Sequence, residues 1–263
     1  MIPDDAVAVA ADLVGRSDRV VVLAGAGMST DSGIADYRGP NGLWTKNPKA
    51  ERISDISYYL NDPEVRRLSW QHRLGSPIWD AQPNPGHLAL VELEQRGKLD
   101  TLITQNIDGL HHLAGNHPSK IVEIHGNART VVCMSCDERA PMERALERVR
   151  RGEDDPACRT CGGILKSATI SFGQQIVLDD LSRAEQAAHR ADLVLAVGST
   201  LGVYPAAGVI PIALHHGAAL VIVNADPTPF DPSADAVVRG SISEVLPEIV
   251  RGGRPRREDA APA

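Results

Sequence analysis

Val20–Gly39 reads VVVLAGAGMSTDSGIADYRG, and its first half decides the fold. Val20-Val21-Val22-Leu23 is an unbroken apolar, β-branched run. Such a run suits a strand buried on both faces, as in a parallel sheet sandwiched by helices. It breaks at once into Gly25-Ala26-Gly27. Glycines there permit a tight turn and close backbone approach to a ligand, and a following helix aims free N–H groups at a phosphate. The G-x-G pattern is incomplete, with Thr30 at its sixth position and the next glycine at Gly33. Taken alone the turn also fits an ordinary strand-to-helix connection. Ser29, Asp31, Ser32, Asp36 and Arg38 nevertheless crowd more polar chemistry into ten residues than a structural turn requires.

Upstream, alanines and valines at helical spacing predict a helix over Asp4–Val14, ending at Gly15. Downstream, strands are expected at Leu99–Thr104, Ile121–Ile124, Ala168–Phe172, Leu193–Val197 and Leu220–Val223. Helices are expected at Asn84–Arg96, with His87, Leu88, Val91 and Leu93 on its apolar side, and at Leu181–Arg190 and Pro205–His216. Strands alternating with helices predict an α/β fold with a Rossmann-like, doubly wound parallel sheet. From Pro40 to about Pro83, Trp44, Tyr58, Tyr59, Trp70 and Trp79 sit among charges and prolines without β alternation, which reads as a helical side module. Arg251–Ala263, rich in arginine and ending AAPA, reads as a disordered tail.

The 27 basic and 34 acidic residues give a net charge of −7, which argues against a general grip on nucleic acid. No run reaches the roughly 18–20 apolar residues of a membrane span. The N-terminus MIPDDAVAVAADLVGR lacks the basic start of a signal peptide, so a cytoplasmic chain is expected.

Cys133-x-x-Cys136 and Cys158-x-x-Cys161 are 21 residues apart. Each pair can form a knuckle presenting two thiolates, and two knuckles complete a tetrahedral S₄ zinc site. The gap slightly exceeds the usual spacing, and the charged helix-like stretch Met142–Arg151 accounts for the excess. Four thiolates leave no open position for water, so such a zinc is structural. The alternatives are four buried free thiols or a redox dithiol, and nothing else in the chain supports the latter.

Two further segments carry chemistry. Thr104-Gln105-Asn106-Ile107-Asp108-Gly109 follows a strand, where doubly wound sheets bind ligands, although it also fits an Asx turn. His125 ends a short strand and precedes Gly126; an ordinary imidazole titrates near 6.5 and can take up a proton at physiological pH.

GAGMSTDSGIADYRG resembles the cofactor-loop signature of the sirtuins, NAD-dependent protein-lysine deacylases. Ala35 stands where that family usually has proline, and Tyr37 where it usually has phenylalanine. TQNIDGLH and Glu123-Ile124-His125-Gly126 match two more of its motifs, and the likeness covers nearly all of Asp4–Val250. The resemblance implies that Gly25, Ala26, Gly27, Ser29, Asp36, Tyr37 and Arg38 form a loop over NAD. It implies that Asp108 holds the nicotinamide carboxamide, that Gln105 and Asn106 order the nicotinamide ribose, and that Ile107 belongs to the same cofactor-binding set. His125 is then the general base, with Asn106 beside it, while His111 and His112 are structural. Gly198-Ser199-Thr200 corresponds to the family's GTS with its hydroxyls exchanged, Asn224 to the adenosine-ribose asparagine, and Ile242 to the adenine contact.

Ile170-Ser171-Phe172-Gly173 resembles the family's peptide-binding strand, with Gln174 in place of glutamate and Ser167 in place of proline. Substrate would pair there and against Gly202-Val203 as an extended peptide. Some sirtuins that prefer acidic acyl chains carry Y-x-x-R, and this chain offers Trp70-x-x-Arg73. Its guanidinium can pair with a carboxylate. The implied domains are a Rossmann-like NAD-binding domain (1–40, 84–126 and 167–250) and a small domain made of the insert 41–83 and the zinc module 127–166.

The implied reaction is NAD-dependent removal of an acyl group from lysine. The acyl oxygen attacks the ribose carbon as nicotinamide leaves, His125 deprotonates a ribose hydroxyl, and the acyl group ends on ADP-ribose. Partners are acyl-lysine proteins, with no specific nucleic acid and no membrane, and the chain is expected to be a monomer. A Rossmann dehydrogenase and a non-catalytic acyl-lysine reader are the competing classes. The first would reduce NAD and the second would release no nicotinamide. No acidic residue ends a second strand in the usual dehydrogenase place, and Asn106, Asp108 and His125 together argue against the reader.

Overall fold

A computed structural model describes residues 4–36 and 52–252. The expectations placed on Tyr37, Arg38 and Trp44, and on the tail beyond residue 252, lie outside the described residues.

A six-stranded parallel sheet has the order β3-β2-β1-β7-β8-β9, formed by β1 (Val20–Ala24), β2 (Leu99–Thr104), β3 (Ile121–Glu123), β7 (Leu193–Val197), β8 (Ala219–Val223) and β9 (Ala236–Val238). Every residue of β1 and β7 is buried, as a strand covered on both faces requires. Alternation then divides β1 between two cores. Val20, Val22 and Ala24 belong to the core that also holds Ala10 and Val14 of α1 (Asp4–Arg16), Leu90 and Leu93 of α4 (Pro85–Gln95), and Leu246 and Ile249 of α9 (Ile242–Gly252). Val21 and Leu23 face the opposite way, toward Ala184 and Ala187 of α7 (Leu178–Arg190) and Ile210 and Ala213 of α8 (Val209–His215).

The chain winds from β1 through β2 to β3 in one direction and from β7 through β8 to β9 in the other. The reversal lies between β1 and β7, the place where open α/β sheets bind ligands. The loops after β1 and β7 meet there backbone to backbone. A Cβ on Gly25 would lie 2.6 Å from the Gly198 carbonyl oxygen, and one on Gly198, whose φ is +63°, would lie 2.4 Å from the Met28 nitrogen. Only glycine on both sides allows that approach.

A second unit is a three-stranded antiparallel sheet of β4 (Gly126–Cys133), β5 (Arg139–Pro141) and β6 (Leu165–Thr169), ordered β5-β4-β6. Its core joins Val131, Cys133 and Leu165 to Met142, Leu146 and Val149 of α6 (Met142–Arg150) and to Trp70 of α3 (Pro63–Leu74). Short helices α2 (Ile56–Asn61) and α5 (Leu110–Ala114) complete the named elements.

Several boundaries differ from the sequence reading. Helix α1 runs through Gly15 to Arg16. The segment after the first glycine turn is a 3₁₀ helix, Ala26–Ser32, closed by Gly33 at φ +83°. The stretch expected as a strand over Ala168–Phe172 is shifted back to β6, and Pro205–His216 divides into a 3₁₀ turn at Ala206–Gly208 and α8. Helix α9 includes Arg251, assigned above to the tail, and Arg251 pairs with Glu92 at 2.9 Å. Leu88 is exposed, because the buried face of α4 runs through His87, Ala89, Leu90 and Leu93. Strands β4, β5 and β9 and helix α9 have no counterpart among those expectations.

Candidate active site

Three loops converge beside the β1–β7 reversal. From the loop after β2, Asn106 Nδ2 donates to the Gly25 carbonyl at 3.0 Å and to Ser29 Oγ at 3.1 Å. Ser29 Oγ in turn donates to Asp108 Oδ2 at 2.7 Å, while the Leu110 amide donates to Asp108 Oδ1 at 2.8 Å. Gln105 Nε2 donates to Ser199 Oγ at 3.0 Å, which binds the loop after β7 into the same network. Asn106 and Asp108 are both buried. Burial raises the Asp108 pKa, while the Leu110 amide, Ser29 hydroxyl and Arg129 charge pull it back. A buried carboxylate that accepts from an amide and a hydroxyl, with a guanidinium charge nearby, is aimed by its partners.

His125 follows β3. Its Nδ1 lies 3.1 Å from the Gln105 carbonyl oxygen, which can only accept. Nδ1 therefore carries the hydrogen and Nε2 the lone pair. Burial lowers the His125 pKa, with the carbonyl opposing in part, so the neutral, proton-accepting form prevails at neutral pH. The following Gly126 has φ +72°, and a Cβ there would come within 2.0 Å of the Ala168 carbonyl oxygen. The histidine thus sits where the sheet domain hands over to β4.

Asn224 follows β8 and is buried, its Nδ2 donating to the Asp226 carbonyl at 2.8 Å. Ile242 opens α9 buried, beside Gly86. Gly27 packs on Gly198, Thr200 is exposed, and Asp36 is half-buried at the edge of the described loop. Asn84 is a residue that sequence reading used only as a helix start. Its Nδ2 donates to the Met28 carbonyl at 2.8 Å and to Ser32 Oγ at 3.0 Å, anchoring the cofactor-loop segment to α4. The Asn-Pro N-cap signal marks the helix but not the second loop it reaches. Arg129 was also missed; its Nε donates to the Asp108 carbonyl at 2.7 Å.

On the peptide side, the Ile170 amide donates to the His125 carbonyl at 2.8 Å, so the segment after β6 runs beside the histidine. Phe172 is already paired, its amide donating to Ser54 at 2.9 Å and its carbonyl accepting from Ile56 at 3.0 Å. Gly173 is at φ +77°, and Gly202 is exposed next to half-buried Val203. Trp70 is wholly buried in the core of the small unit, which makes it a packing residue rather than an acyl contact. Arg73 is different. Its Nη2 donates to Ser167 Oγ at 3.1 Å, and its guanidinium lies over the Tyr59 and Trp70 rings. Its Nη1 is buried and has no hydrogen-bond partner among the described residues. Lys166 lies close by, its Nζ donating to the Ser167 carbonyl at 3.2 Å and to the Thr169 carbonyl, and burial with the Arg73 charge lowers its pKa to about 7.

The four cysteine sulfurs lie within 4.8 Å of one another, with Cys133–Cys161 at 3.5 Å and Cys136–Cys158 at 3.8 Å. Four ligands about 2.3 Å from one ion in a tetrahedron have such separations. The Ser135 and Gly163 amides donate to Cys133 and Cys161 at 3.4 Å, as the turns of two knuckles would. The set fits zinc.

The Sir2 family model matches residues 25–205, which include all three loops, His125 and the four cysteines. The chain belongs to the Sir2 family. This sirtuin is 49% identical over 233 residues to the NAD-dependent protein deacetylase 2 of Streptomyces coelicolor, covering 89% of this chain and 97% of that one. It is 40% identical over 245 residues to the NAD-dependent protein deacylase of Thermococcus kodakarensis, covering 92% and 93%. Among solved structures, a Sir2 enzyme superposes with a TM-score of 0.85 at 37% identity, covering 95% of this chain and 98% of that one. A Sir2 complex with a p53 peptide and NAD+ superposes with a TM-score of 0.82 at 34% identity, covering 92% and 96%.

Proposed function

We propose that this sirtuin is an NAD-dependent protein-lysine deacylase, a deacetylase first of all, which passes the acyl group to ADP-ribose and releases nicotinamide. The observation that carries the reading is the convergence of Asn106, Asp108 and a neutral His125 beside the β1–β7 reversal. When bound, NAD supplies the ribose carbon that accepts the acyl oxygen. Gly25–Gly27 and Gly198–Thr200 would hold its phosphates, Asn224 and Ile242 its adenosine end, and Asp108 the carboxamide. Asn106 and Gln105 orient the nicotinamide ribose, and His125 Nε2 takes up the ribose hydroxyl proton. Tyr37 and Arg38 belong to the same proposal by sequence alone.

The acyl-lysine peptide lies extended between the segment after β6 and Gly202-Val203. Phe172 is paired within the chain, and Ser171 is paired with Gln174 through both its amide and its carbonyl, so on this segment the peptide uses the backbone of Gly173. Cys133, Cys136, Cys158 and Cys161 hold one structural zinc. The sheet domain (1–40, 84–126, 167–250) and the small domain (41–83, 127–166) meet at the cleft where both substrates bind. No helix among the described residues is long and apolar enough to cross a membrane. Four reduced thiols on one metal fit a cytoplasmic protein, which we read as a monomer without a nucleic-acid partner.

A second acyl class is favoured by one observation, the buried Nη1 of Arg73, which has no hydrogen-bond partner among the described residues. Among the described residues Arg73 has no carboxylate partner, and a buried guanidinium with a free donor favours an acid at the end of the acyl chain, so weaker desuccinylation is expected beside deacetylation. The test is one incubation with NAD and a panel of acyl-lysine peptides, followed by mass spectrometry. Free nicotinamide and acyl-ADP-ribose in equal amounts are expected. Dihydronicotinamide absorbance, or peptide binding without nicotinamide release, would establish a competing class instead.

A further inference from the structure

Arg129 stands on β4, outside every motif that carries the proposed chemistry, yet it reaches the loop at the centre of the site. The β4–β6 ladder explains how. Asn127 pairs with Ala168 and Val131 with Ser167, so residues 128–130 have no partner on β6 and bulge from its register. A bulge of this kind re-aims side chains, and bulges recur beside active sites. The bulge is itself pinned, since the Arg129 amide donates to Asn127 Oδ1 at 2.7 Å and the Ala128 amide to the Ile107 carbonyl at 2.8 Å.

From this seat the guanidinium joins two separate parts of the molecule. Nε donates to the Asp108 carbonyl at 2.7 Å, and Nη2 donates to the Ile78 carbonyl at 3.0 Å. The guanidinium carbon lies 5.9 Å from the centre of the Trp79 ring. Gly109 leaves room for it, because a Cβ there would lie 3.0 Å from Arg129 Cδ and Nε. Among the described residues no carboxylate forms an ion pair with Arg129. Its charge is held by carbonyl oxygens and lies near enough to Asp108 to favour the ionised carboxylate.

We infer that Arg129 is a positioning residue for the nicotinamide end of the reaction: tying the Asp108 carbonyl to the Ile78 carbonyl, it fixes the aim of the Asn106–Asp108 loop and makes that aim depend on how the small domain is seated. The inference rests on the deacylase reading and deepens it. A misplacement of about 1 Å in such a loop can cost on the order of 10²-fold in rate.

The experiment compares wild type, Arg129→Lys and Arg129→Ala, each loaded with zinc. It measures steady-state kinetics in NAD and in acetyl-peptide, the inhibition constant of nicotinamide, and the melting temperature. For Arg129→Ala, kcat/KM for NAD should fall and the nicotinamide constant rise by about 10- to 100-fold, with KM for peptide changing less than about twofold. Arg129→Lys keeps the charge and one donor, and should recover part of the loss. Should the alanine variant not fold, the lysine variant must still show the loss confined to NAD and nicotinamide. Variants that match wild type, losses in NAD and peptide that move together with melting, or a lysine variant no better than alanine overturn the inference alone. A wild type that releases no nicotinamide overturns the functional reading, and the inference with it.

Discussion

His125 is held in one tautomer by the Gln105 carbonyl, and burial keeps it neutral below the usual imidazole range. His125→Ala should therefore leave a folded protein whose deacylation rate is lower by about 10²–10⁴-fold, as loss of a general base typically costs. The lowered pKa also sets the pH profile. The neutral form persists as pH falls through 6.5, so the acid limb of kcat/KM should break below that value. A break above 6.5, or near wild-type turnover by the alanine variant, would remove His125 from the role. Arg73 gives a separate prediction, since Arg73→Ala should abolish succinyl turnover while leaving acetyl turnover within about twofold of wild type. Equal losses for both peptides would return Arg73 to packing. The glycines, Asn106, Asp108, His125 and the cysteines were legible because their chemistry is local to short motifs. Arg129 and Asn84 were not, because each acts through a carbonyl more than twenty positions away, and any polar residue at those positions reads alike in sequence.

Strands of the large sheet were legible for a physical reason: β1, β7 and β8 are covered on both faces and read as continuous apolar runs, while β2, LDTLIT, was legible from its Leu102-Ile103 centre. Strand β4, GNARTVVC, has only part of one face buried and carries a bulge, which erases its alternation. Strand β6 was displaced because it buries Lys166 and Ser167, residues whose polarity points outward in sequence. Helix α9 was hidden by Pro247 inside it. The zinc module was foreseen through its cysteines rather than its strands, and its stability should depend on them in the same way. Cys133 and Cys158 are buried in the core of the small unit with Met142, Leu146 and Val149, so metal-binding energy there is folding energy. Cys133→Ser should lower the zinc content below one ion per chain and lower the melting temperature, with activity falling as the fold fails. One zinc per chain together with wild-type melting would show that the sulfur cluster does not hold the module.

The large domain buries two histidines in contact, and their effect belongs to the whole molecule. His87 on α4 and His111 on α5 have ring centres 4.9 Å apart and are almost fully buried. Among the described residues, His87 Nε2 and both nitrogens of His111 have no hydrogen-bond partner. Burial lowers His87 from 6.5 to about 4 and His111 well below its ordinary value, the neighbouring ring adding to the effect on His111. The unfolded chain consequently binds more protons than the folded one as pH falls from 6.5 toward 4, and stability must fall with it. Asp108, whose pKa is raised, acts in the opposite sense, but from an ordinary value of 3.8 its window lies at the acid end. His87 alone should cost about 2 kcal/mol by pH 5 and about 3 kcal/mol by pH 4. For a chain of this size, 2 kcal/mol corresponds to a melting temperature lower by about 4–8 °C. The measurement is calorimetric melting of the zinc-loaded protein between pH 7 and pH 5, for wild type and His111→Leu. Leucine is close to histidine in volume and leaves no nitrogen to satisfy, so the variant should be near neutral or stabilising at pH 7. Its acid-induced fall should be shallower than that of wild type, because one of the two protonations is gone. Parallel curves for the two proteins would mean that the acid sensitivity comes from elsewhere in the fold.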